Sequence, residues 1–323
     1  MRPFLLAAVF LLAACTGAGA PPSGGEPPPK GRPASGAPSW VPPAGSSGVA
    51  GAGAGSGEPG ATSDPGSSNG AATTVVTDPE PEEMPDPVGQ KARVVTELSG
   101  RRPRAWGQAI PGVLTTFATT EPAIALTLDA CGGPGGDGYD AALVDYLRRE
   151  KVPATLFVTS KWIAARRATA AALAKEPLFE MENHGSAHRP CSVTGRSAYD
   201  IRGTRSVGDA VDEIQRGALA ITELSGRVPR FYRPGTAYFD DVCLDVARAL
   251  GEAAAGFAVN GDGGTGFSRA QVRDALVKAR SGSIVLLHMN HPSSHTAEGI
   301  MDAVPILRAK GVKLVRLRDV IPK

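Results

Sequence analysis

The feature that most limits how this chain can fold is a break in composition near residue 90. From about residue 16 to residue 90 the sequence is dominated by Gly, Pro, Ala and Ser, as in GAGAGSGEPGATSDPGSSNG, with almost no large apolar side chains. Such a stretch cannot bury enough apolar surface to offset the entropy lost on ordering. We therefore predict a disordered tether over 16–90 and one folded α/β domain over 91–323.

The N-terminus has the pattern of an export signal. The segment MRPFLLAAVFLLAAC places one Arg before an apolar run that is too short to span a bilayer as a helix. Residues 12–15, Leu-Ala-Ala-Cys, resemble the lipobox of bacterial lipoproteins, in which the cysteine becomes the lipid-modified first residue. We expect a lipoprotein signal peptide over 1–15, lipidation of Cys15, and an exported domain tethered to a membrane of the cell envelope. An ordinary cleaved signal peptide is the alternative.

Charge and motif content argue against two classes of partner. Lys and Arg number 34 and Asp and Glu 32, and the sequence has no clustered basic stripe, so nucleic acid is not a predicted partner. The first predicted strand is not followed by a GxGxxG turn, and the sequence lacks a Walker-type GK[ST]. We therefore predict no nucleotide either.

From Ala123 onward, short β-rich runs alternate with amphipathic helical runs. The predicted strands are AIALTLDA, ATLFVT, LFEME, RFYRP, AAGFAVN, SIVLLHMN and VKLVRL. Near-continuous apolar runs such as ALTL and SIVLL are typical of parallel strands that are buried on both faces. The predicted fold is a distorted (β/α) barrel of about seven parallel strands.

Ionisable side chains collect at the carboxyl ends of these strands, which is where α/β folds place their sites. The residues at these ends are Asp129, His184, His188, Arg233, Asp262 and His288. Their shared position on five different strands predicts that they meet at one edge of the sheet.

His184 and His188 are spaced to bind one metal ion if the loop between them turns once. The segment is not a metalloprotease helix, because Gly185 stands where that motif has Glu and Pro190 ends the segment at once. Two surface histidines in a polar loop are the alternative.

Asp129 follows an apolar run, so its carboxylate needs a partner, and Arg233 is the obvious one. The pair is either structural or an oriented general base. His288 ends the run IVLL, and an imidazole at such an edge suits a general acid. A core histidine with satisfied hydrogen bonds is the alternative there.

Four motifs, taken in order, resemble those of a known family. They are TLDACGG at 127–133, ENHGSAH at 182–188, FYRPG at 231–235 and IVLLH at 284–288. They resemble the successive motifs of the polysaccharide deacetylase family, also called carbohydrate esterase family 4. The resemblance implies a distorted barrel and a divalent metal, usually zinc. It also implies hydrolysis of N-acetyl groups on hexosamine polymers, or of O-acetyl groups in some members.

Residue by residue, the resemblance implies the following roles. His184 and His188 match the metal histidines, Asp129 the catalytic base, Arg233 the arginine that orients it, and His288 the general acid. A backbone N–H after Arg233, such as that of Thr236, would steady the oxyanion.

The first motif departs from the family pattern. The family usually has two adjacent aspartates, a base followed by a metal ligand, whereas here Asp129 is followed by Ala130. Three outcomes are open: Asp129 itself binds the metal and another group or the metal-bound hydroxide serves as base, Cys131 or Asp137 supplies the ligand, or the site is too weak to hold a metal. We expect the first, since Asp129 is the carboxylate retained at that strand end.

The fourth motif also departs, because Asn260 to Gly264 replaces the family's Asp and Trp segment. Asp262 is expected to support His288, and no Trp is expected in the cleft. His291 and His295 have no family counterpart and are interpreted as polar loop residues.

If Cys15 carries lipid, three cysteines remain, which allows at most one disulfide. We expect Cys131 to pair with Cys191, with Cys243 buried in a helix; three reduced thiols are the alternative.

The sequence thus predicts an enzyme that removes acetyl groups from N-acetylhexosamine in a cell-envelope or extracellular polysaccharide, such as peptidoglycan. An O-acetyl glycan esterase and a glycan-binding lipoprotein without catalysis remain open.

Overall fold

A computed structural model describes residues 86–322 of the chain. The predicted signal peptide over 1–15, the lipidation site Cys15 and the tether as far as residue 85 lie outside the described residues. Among the helices that are described, none has the length and apolar character needed to cross a membrane.

Short strands and helices alternate along the described chain. The strands are β1 (Trp106–Gly107), β2 (Ala123–Ala130), β3 (Ala154–Val158), β4 (Phe179–Asn183), β5 (Phe231–Tyr232), β6 (Phe239–Asp240), β7 (Ala253–Ala254), β8 (Val259–Asn260), β9 (Ile284–His288) and β10 (Lys313–Val315). The helices are α1 (Pro87–Leu98), α2 (Ala141–Arg149), α3 (Ser160–Ala165), α4 (Arg167–Ala174), α5 (Val207–Ser225), α6 (Asp241–Ala249), α7 (Arg269–Val277), α8 (Thr296–Ala309) and α9 (Leu317–Val320). A 3₁₀ turn covers Gly235–Ala237.

The main sheet is parallel. Its strands follow the order β7-β5-β4-β3-β2-β9-β8, and β10 pairs with the first residues of β2. β1 and β6 form a separate antiparallel pair. Because parallel pairing aligns the strands in one direction, the carboxyl ends of β2, β4, β5 and β9 lie along the same edge. The predicted α/β fold with a distorted, incomplete barrel is confirmed.

The curling of the sheet is visible in the segment that joins its two edge strands. β7 pairs with β5 and β8 pairs with β9, yet only residues 255–258 separate β7 from β8. This short bridge holds the two edges near each other, so the sheet forms a half-barrel. The prediction of a single strand over AAGFAVN is wrong, because one straight strand cannot pair with both β5 and β9 at opposite edges.

The residues of β2 alternate between the two faces of the sheet. The outward residues, which are buried in the largest apolar cluster with the helices, are Leu126, Leu128 and Ala130. Ala125 belongs to the apolar cluster inside the half-barrel, together with Phe157. Thr127 and Asp129 follow Ala125 at intervals of two, so the same alternation that builds the core directs Asp129 inward.

The described chain begins with a helix that the sequence pattern did not predict. Asp86 caps α1 by accepting two backbone N–H bonds of 3.0 Å each, and Pro87 occupies its first position. Val94 and Leu98 are buried in the cluster that also contains residues of α5 and α6. α1 begins at Pro87, four residues before the predicted start of the domain at residue 91. The α5 and α6 residues in the cluster with Val94 and Leu98 lie more than 100 residues away in sequence, beyond the reach of a local composition test.

The predicted Cys131–Cys191 disulfide is wrong. The structure joins Cys191 to Cys243, with their Cα atoms 5.8 Å apart. Cys191 lies beside β6, because its N–H donates to Tyr238 O and its carbonyl accepts from Asp240 N–H, both at 2.9 Å. This pairing places it next to the first turn of α6, which carries Cys243.

Candidate active site

The predicted polar residues converge at the carboxyl edge of the main sheet. Asp129 and His288 occupy paired positions on the adjacent strands β2 and β9. His184 follows β4, and Arg233 follows β5, which pairs with β4. His188 lies further along the loop after β4, and its ring centroid is 5.0 Å from that of His184. The expectation that these residues share one edge is met.

Asp129 and Arg233 form a buried ion pair. The Arg233 side chain is fully buried, and its Nη1 donates to Asp129 Oδ1 at 2.7 Å and to Thr127 Oγ1 at 2.9 Å. Nη2 donates to the Gly256 carbonyl at 2.9 Å, and the guanidinium lies 4.2 Å from the centroid of the Phe157 ring. Arg233 is therefore fixed from several sides and holds the Asp129 carboxylate in one orientation.

The electrostatics of this pair keep Asp129 ionised. Burial is the largest single effect and would raise the pKa of Asp129. The charges of Arg233, His184 and His288 and the Arg233 hydrogen bond together outweigh it, so the pKa lies below its ordinary value. Burial lowers the pKa of His184, which favours its neutral imidazole. An ionised carboxylate and a neutral imidazole are the forms that accept a proton and bind a metal, respectively.

His184 is oriented by its Nδ1 atom, which lies 2.8 Å from the Arg233 carbonyl oxygen. An Nδ1–H donating to that carbonyl leaves Nε2 as the lone-pair nitrogen. Nε2 is buried, has no hydrogen-bond partner and lies 3.7 Å from Asp129 Oδ2. A buried nitrogen in this state is costly unless a ligand engages it, and metal-binding histidines are commonly oriented in this way.

Glu213 on α5 shapes the loop that carries the two histidines. Its Oε1 accepts from the N–H of Ala187 at 2.8 Å, and its Oε2 accepts from Ser186 Oγ at 2.9 Å. Gly185 has φ +81°, and a Cβ there would lie 2.6 Å from Glu213 Oε1. Glycine at this position therefore lets the loop turn once around the carboxylate, which brings His188 back beside His184.

Asn183 anchors the same loop from the strand side. Its Oδ1 accepts from Gly185 N–H at 2.9 Å, while its Nδ2 donates to Ile214 O at 2.9 Å. Nδ2 also donates to the buried Glu252 carboxylate, at 2.9 and 3.1 Å. The histidine loop is thus tied to α5 at one side and to the segment before β7 at the other.

Three donor side chains form a group that suits a metal ion. Ligand atoms of Cys131, His184 and His188 all lie within 4.8 Å of one another. Cys131 and His184 are buried and His188 is partly buried. The donor types and the unbonded Nε2 of His184 fit a divalent ion that accepts nitrogen and sulfur ligands. Asp129, the expected third ligand, lies outside this group.

His288 is held by a second carboxylate. Its backbone N–H donates to Asp262 Oδ2 at 2.7 Å, and its Nδ1 lies 3.1 Å from both Asp262 oxygens. Thr296 Oγ1 adds a bond to Asp262 Oδ2 at 3.1 Å. Asp262 is fully buried, so its carboxylate fixes both the ring orientation and the Nδ1–H tautomer of His288. The expected support of His288 by Asp262 is present in the structure.

This geometry can be compared with known proteins. A model of the polysaccharide deacetylase family matches residues 117–255, which include Asp129, His184, His188 and Arg233. The matched region belongs to the polysaccharide deacetylase family. The match ends before β9 and so does not include His288. The pairing of β9 with β2 places His288 beside Asp129 in the site. No curated protein matches the chain.

Solved structures of carbohydrate esterase family 4 share the fold. One is a pseudoenzyme of the family from Bacillus anthracis, with 19% identity, a TM-score of 0.56, and coverage of 66% of this chain and 70% of that chain. Another is Bacillus subtilis PdaA, with 20% identity, a TM-score of 0.54, and coverage of 72% and 88%. A third is the Bc1960 peptidoglycan N-acetylglucosamine deacetylase, with 20% identity, a TM-score of 0.54, and coverage of 65% and 92%.

Three further expectations concern residues near the site. Asp137, one alternative metal ligand, is exposed in the loop after β2. His295 is exposed and pairs with Glu298 at 2.8 Å, as expected of a polar loop residue. His291 also lies in a loop, and its ring centroid is 6.3 Å from that of His288, which places it beside the candidate site.

Sequence reasoning missed a group of aromatic side chains beside the site, Trp106, Tyr199 and Tyr238. The ring centroid of Tyr238 lies 5.3 Å from Trp106 and 5.6 Å from Tyr199, and all three are partly exposed. Tyr238 follows the turn at Gly235, which packs so closely on His188 that a Cβ would lie 2.3 Å from the His188 carbonyl. Trp106 enters from outside the family motifs, so no motif spacing pointed to it.

Proposed function

We propose that this protein is an exported, metal-dependent deacetylase that acts on N-acetylhexosamine residues of a cell-envelope or extracellular polysaccharide. One observation carries the proposal. Two candidate proton carriers, Asp129 and His288, stand at paired positions on adjacent strands, beside the histidines of the loop after β4. Amide hydrolysis needs one group to take a proton from water and another to give a proton to the departing amine.

His184 and His188 would hold the metal ion, for which zinc is the first candidate. When bound, such an ion supplies Lewis acidity that polarises the acetyl carbonyl and makes water easier to deprotonate. The neutral state of His184 and the orientation imposed by the Arg233 carbonyl suit this role.

Asp129 would act as the general base. Its pKa lies below the ordinary value, so the carboxylate is ready to accept a proton at neutral pH. Arg233 occupies Oδ1 at 2.7 Å, and the second oxygen, Oδ2, faces His184. Arg233 thereby decides which carboxylate oxygen meets the attacking water.

His288 would act as the general acid. Its Nδ1–H is directed to Asp262, so the proton given to the departing amine comes from Nε2. The buried Asp262 carboxylate stabilises the imidazolium that must form before this transfer. The Thr236 backbone N–H, in the turn after Arg233, is proposed to steady the oxyanion.

A carbohydrate substrate is supported by the aromatic group of Trp106, Tyr199 and Tyr238. Partly exposed aromatic rings offer apolar faces against which the C–H face of a sugar ring packs. Arg196 lies over the Trp106 ring at 5.1 Å and adds hydrogen-bond donors at the rim. A structural neighbour of the same fold is a peptidoglycan N-acetylglucosamine deacetylase, which makes peptidoglycan the first polymer to test.

The test is acetate release from chitooligosaccharide, peptidoglycan and poly-N-acetylglucosamine by the chain loaded with zinc or cobalt. We expect release from at least one of these polymers, and a rate for His288→Ala about 10²–10⁴-fold lower. Absence of release from all three contradicts this substrate class. Release from aryl acetates alone would assign the site to O-acetyl esters instead.

Lipid attachment at Cys15 is proposed from the sequence pattern of residues 12–15. Radiolabelled palmitate should enter the wild-type chain during bacterial expression, whereas Cys15→Ser should remain unlabelled. Equal labelling of both chains, or labelling of neither, contradicts the lipoprotein assignment.

A second candidate function is glycan binding without hydrolysis. Ala130 favours it, because the family's second aspartate is missing from its usual place. Retained binding of the polymers above, together with absence of metal from the purified chain, would support this function over the deacetylase.

A further inference from the structure

We propose that Cys131 is the third protein ligand of the metal site. It would replace the aspartate that the family usually has one position earlier, where this chain has Ala130. The inference deepens the proposed function, on which it rests for the metal itself. It assigns a Cys-His-His donor set to this chain, with Asp129 left as the base.

Position is the first argument. The Cys131 sulfur and the ligand nitrogens of His184 and His188 lie within 4.8 Å of one another. Three donors on the corners of a tetrahedral zinc site, with bonds of about 2.0–2.3 Å, stand roughly 3.3–4 Å apart. Small side-chain rotations therefore suffice to close the group around an ion.

The direction of the strand is the second argument. Ala130 packs outward into the apolar cluster between sheet and helices, where a carboxylate would be costly. Cys131 comes two residues after Asp129, on the inward side of the alternation. The chain then leaves the strand at Gly132, where φ is +75° and a Cβ would lie 2.6 Å from the backbone nitrogen of Trp162. Glycine thus permits the close turn that keeps Cys131 at the strand end, where it is 2% exposed.

The state of the neighbouring groups is the third argument. His184 is 1% exposed and its Nε2 has no hydrogen-bond partner, as expected of a nitrogen that awaits a ligand. Asp129, by contrast, already uses Oδ1 for the ion pair with Arg233. If another residue binds the metal, Asp129 keeps its ion pair with Arg233, and its carboxylate stays able to accept a proton.

The donor set has a chemical consequence. A thiolate with two imidazoles favours zinc, cobalt and other ions that accept sulfur, and disfavours magnesium and manganese. When the ion binds, the Cys131 thiol loses its proton to solvent and a metal–sulfur bond replaces the S–H bond. An ion held by these three side chains would still have room for the acetyl group or water, as catalytic zinc sites do.

The test is the absorption spectrum of the full chain titrated with cobalt, in a Cys15→Ser background and without reductant. In this background the Cys191–Cys243 disulfide accounts for the other cysteines, so sulfur ligation reports on Cys131. We expect one equivalent of cobalt to produce a sulfur-to-cobalt charge-transfer band in the near ultraviolet. Cys131→Ser should lose the band and bind cobalt at least 10-fold more weakly. Cys131→Asp should lose the band but keep cobalt bound, because a carboxylate then occupies the same place.

His184→Ala serves as the control that removes a nitrogen ligand, and it should lose both the band and the bound cobalt. Cobalt bound without the band, a band that survives Cys131→Ser, or no cobalt binding to the wild-type site overturns the inference. A band without acetate release would keep Cys131 as a ligand and reject the deacetylase. Acetate release that is unchanged in Cys131→Ser would keep the deacetylase and reject Cys131 as a ligand.

Discussion

The two halves of the site are built in different ways. The proposed proton-transfer half consists of Asp129 with Arg233 and His288 with Asp262, and each ionisable group in it has a buried ionisable partner at 3.1 Å or less. The metal half consists of side chains on two loops, and those loops are held by neutral backbone bonds and by the Glu213 carboxylate. Asp129, Arg233 and His288 match the family motifs, as do His184 and His188, whereas the metal half lacks the family's second aspartate because Ala130 stands in its place.

This contrast shows where a site tolerates change. Replacement of one member of a buried ion pair leaves its partner charged and unpaired, which is strongly destabilising. A metal ligand on a loop has to place a donor atom near the ion, so a residue one position away can supply the donor instead. We therefore expect the absence of the second aspartate at Ala130 to be less damaging than the loss of Asp129 or Arg233.

The largest effect is expected from Arg233→Met. The substitution leaves the Asp129 carboxylate, which is 3% exposed, without its partner. We expect a loss of about 3–5 kcal/mol in the free energy of unfolding, measured by denaturant titration. Arg269→Ala, which breaks the exposed pair with Asp302, is the matched control and should leave the midpoint unchanged. Equal stability of Arg233→Met and wild type would show that the pair is not structural.

The next largest effect is expected from Asp262→Asn, which alters the second pair. An amide cannot stabilise the His288 imidazolium and permits the wrong tautomer. The rate of acetate release should fall about 10²–10⁴-fold with the metal content unchanged. Asp302→Asn changes an aspartate on the outer surface and should retain the wild-type rate. An undiminished rate in Asp262→Asn would remove His288 from the acid role.

A smaller effect is expected from Glu213→Gln in the metal half. Glutamine retains one acceptor for the Ala187 N–H but loses the charge that fixes the loop. Zinc affinity, measured by competition with a chromophoric chelator, should fall about 10–100-fold. Glu223→Gln lies on the same helix with its side chain exposed and should bind zinc like wild type. If both variants bind equally well, Glu213 does not position the histidines.

The smallest effect concerns Glu252, which supports Asn183 behind the histidine loop. Burial raises the pKa of Glu252 well above its ordinary value of 4.5. Above pH 4.5 the unfolded chain releases this proton while the folded chain keeps it, so Glu252 makes stability decline as pH rises. Glu252→Gln should flatten this decline, and its stability relative to wild type should increase between pH 4.5 and neutrality. A parallel pH dependence of unfolding in the two chains would contradict the assignment.

The sequence was sufficient for the proton-transfer half because that half depends on strand register. The polar residue at each predicted strand end predicted that Asp129, Arg233 and His288 would meet. The support from Asp262 was expected from its place in the fourth family motif, and the structure brings it about by pairing β8 with β9. Residues that stand at the ends of neighbouring parallel strands lie close together in the fold, so their positions in the sequence predict that they meet.

The metal half could not be predicted in the same way, because it depends on loop conformation. Cys131 lies at the end of β2, just before the turn at Gly132, and its sulfur is within 4.8 Å of the ligand nitrogens of both histidines, whereas Asp129 is paired with Arg233. Glu213 stands 26 residues after Ala187 in sequence, and no motif joins them. The Cys191–Cys243 disulfide likewise depends on the pairing of a loop with β6. No sequence pattern predicted that pairing.

We propose that Asp129 handles the proton while other residues hold the metal. The most direct test is Asp129→Asn, with zinc content and acetate release measured on the same preparation. The amide retains an acceptor for Arg233 but cannot take a proton. The account predicts one zinc per chain and a loss of acetate release of about 10²-fold or more. Loss of zinc together with activity would make Asp129 a metal ligand and contradict the division between the two halves.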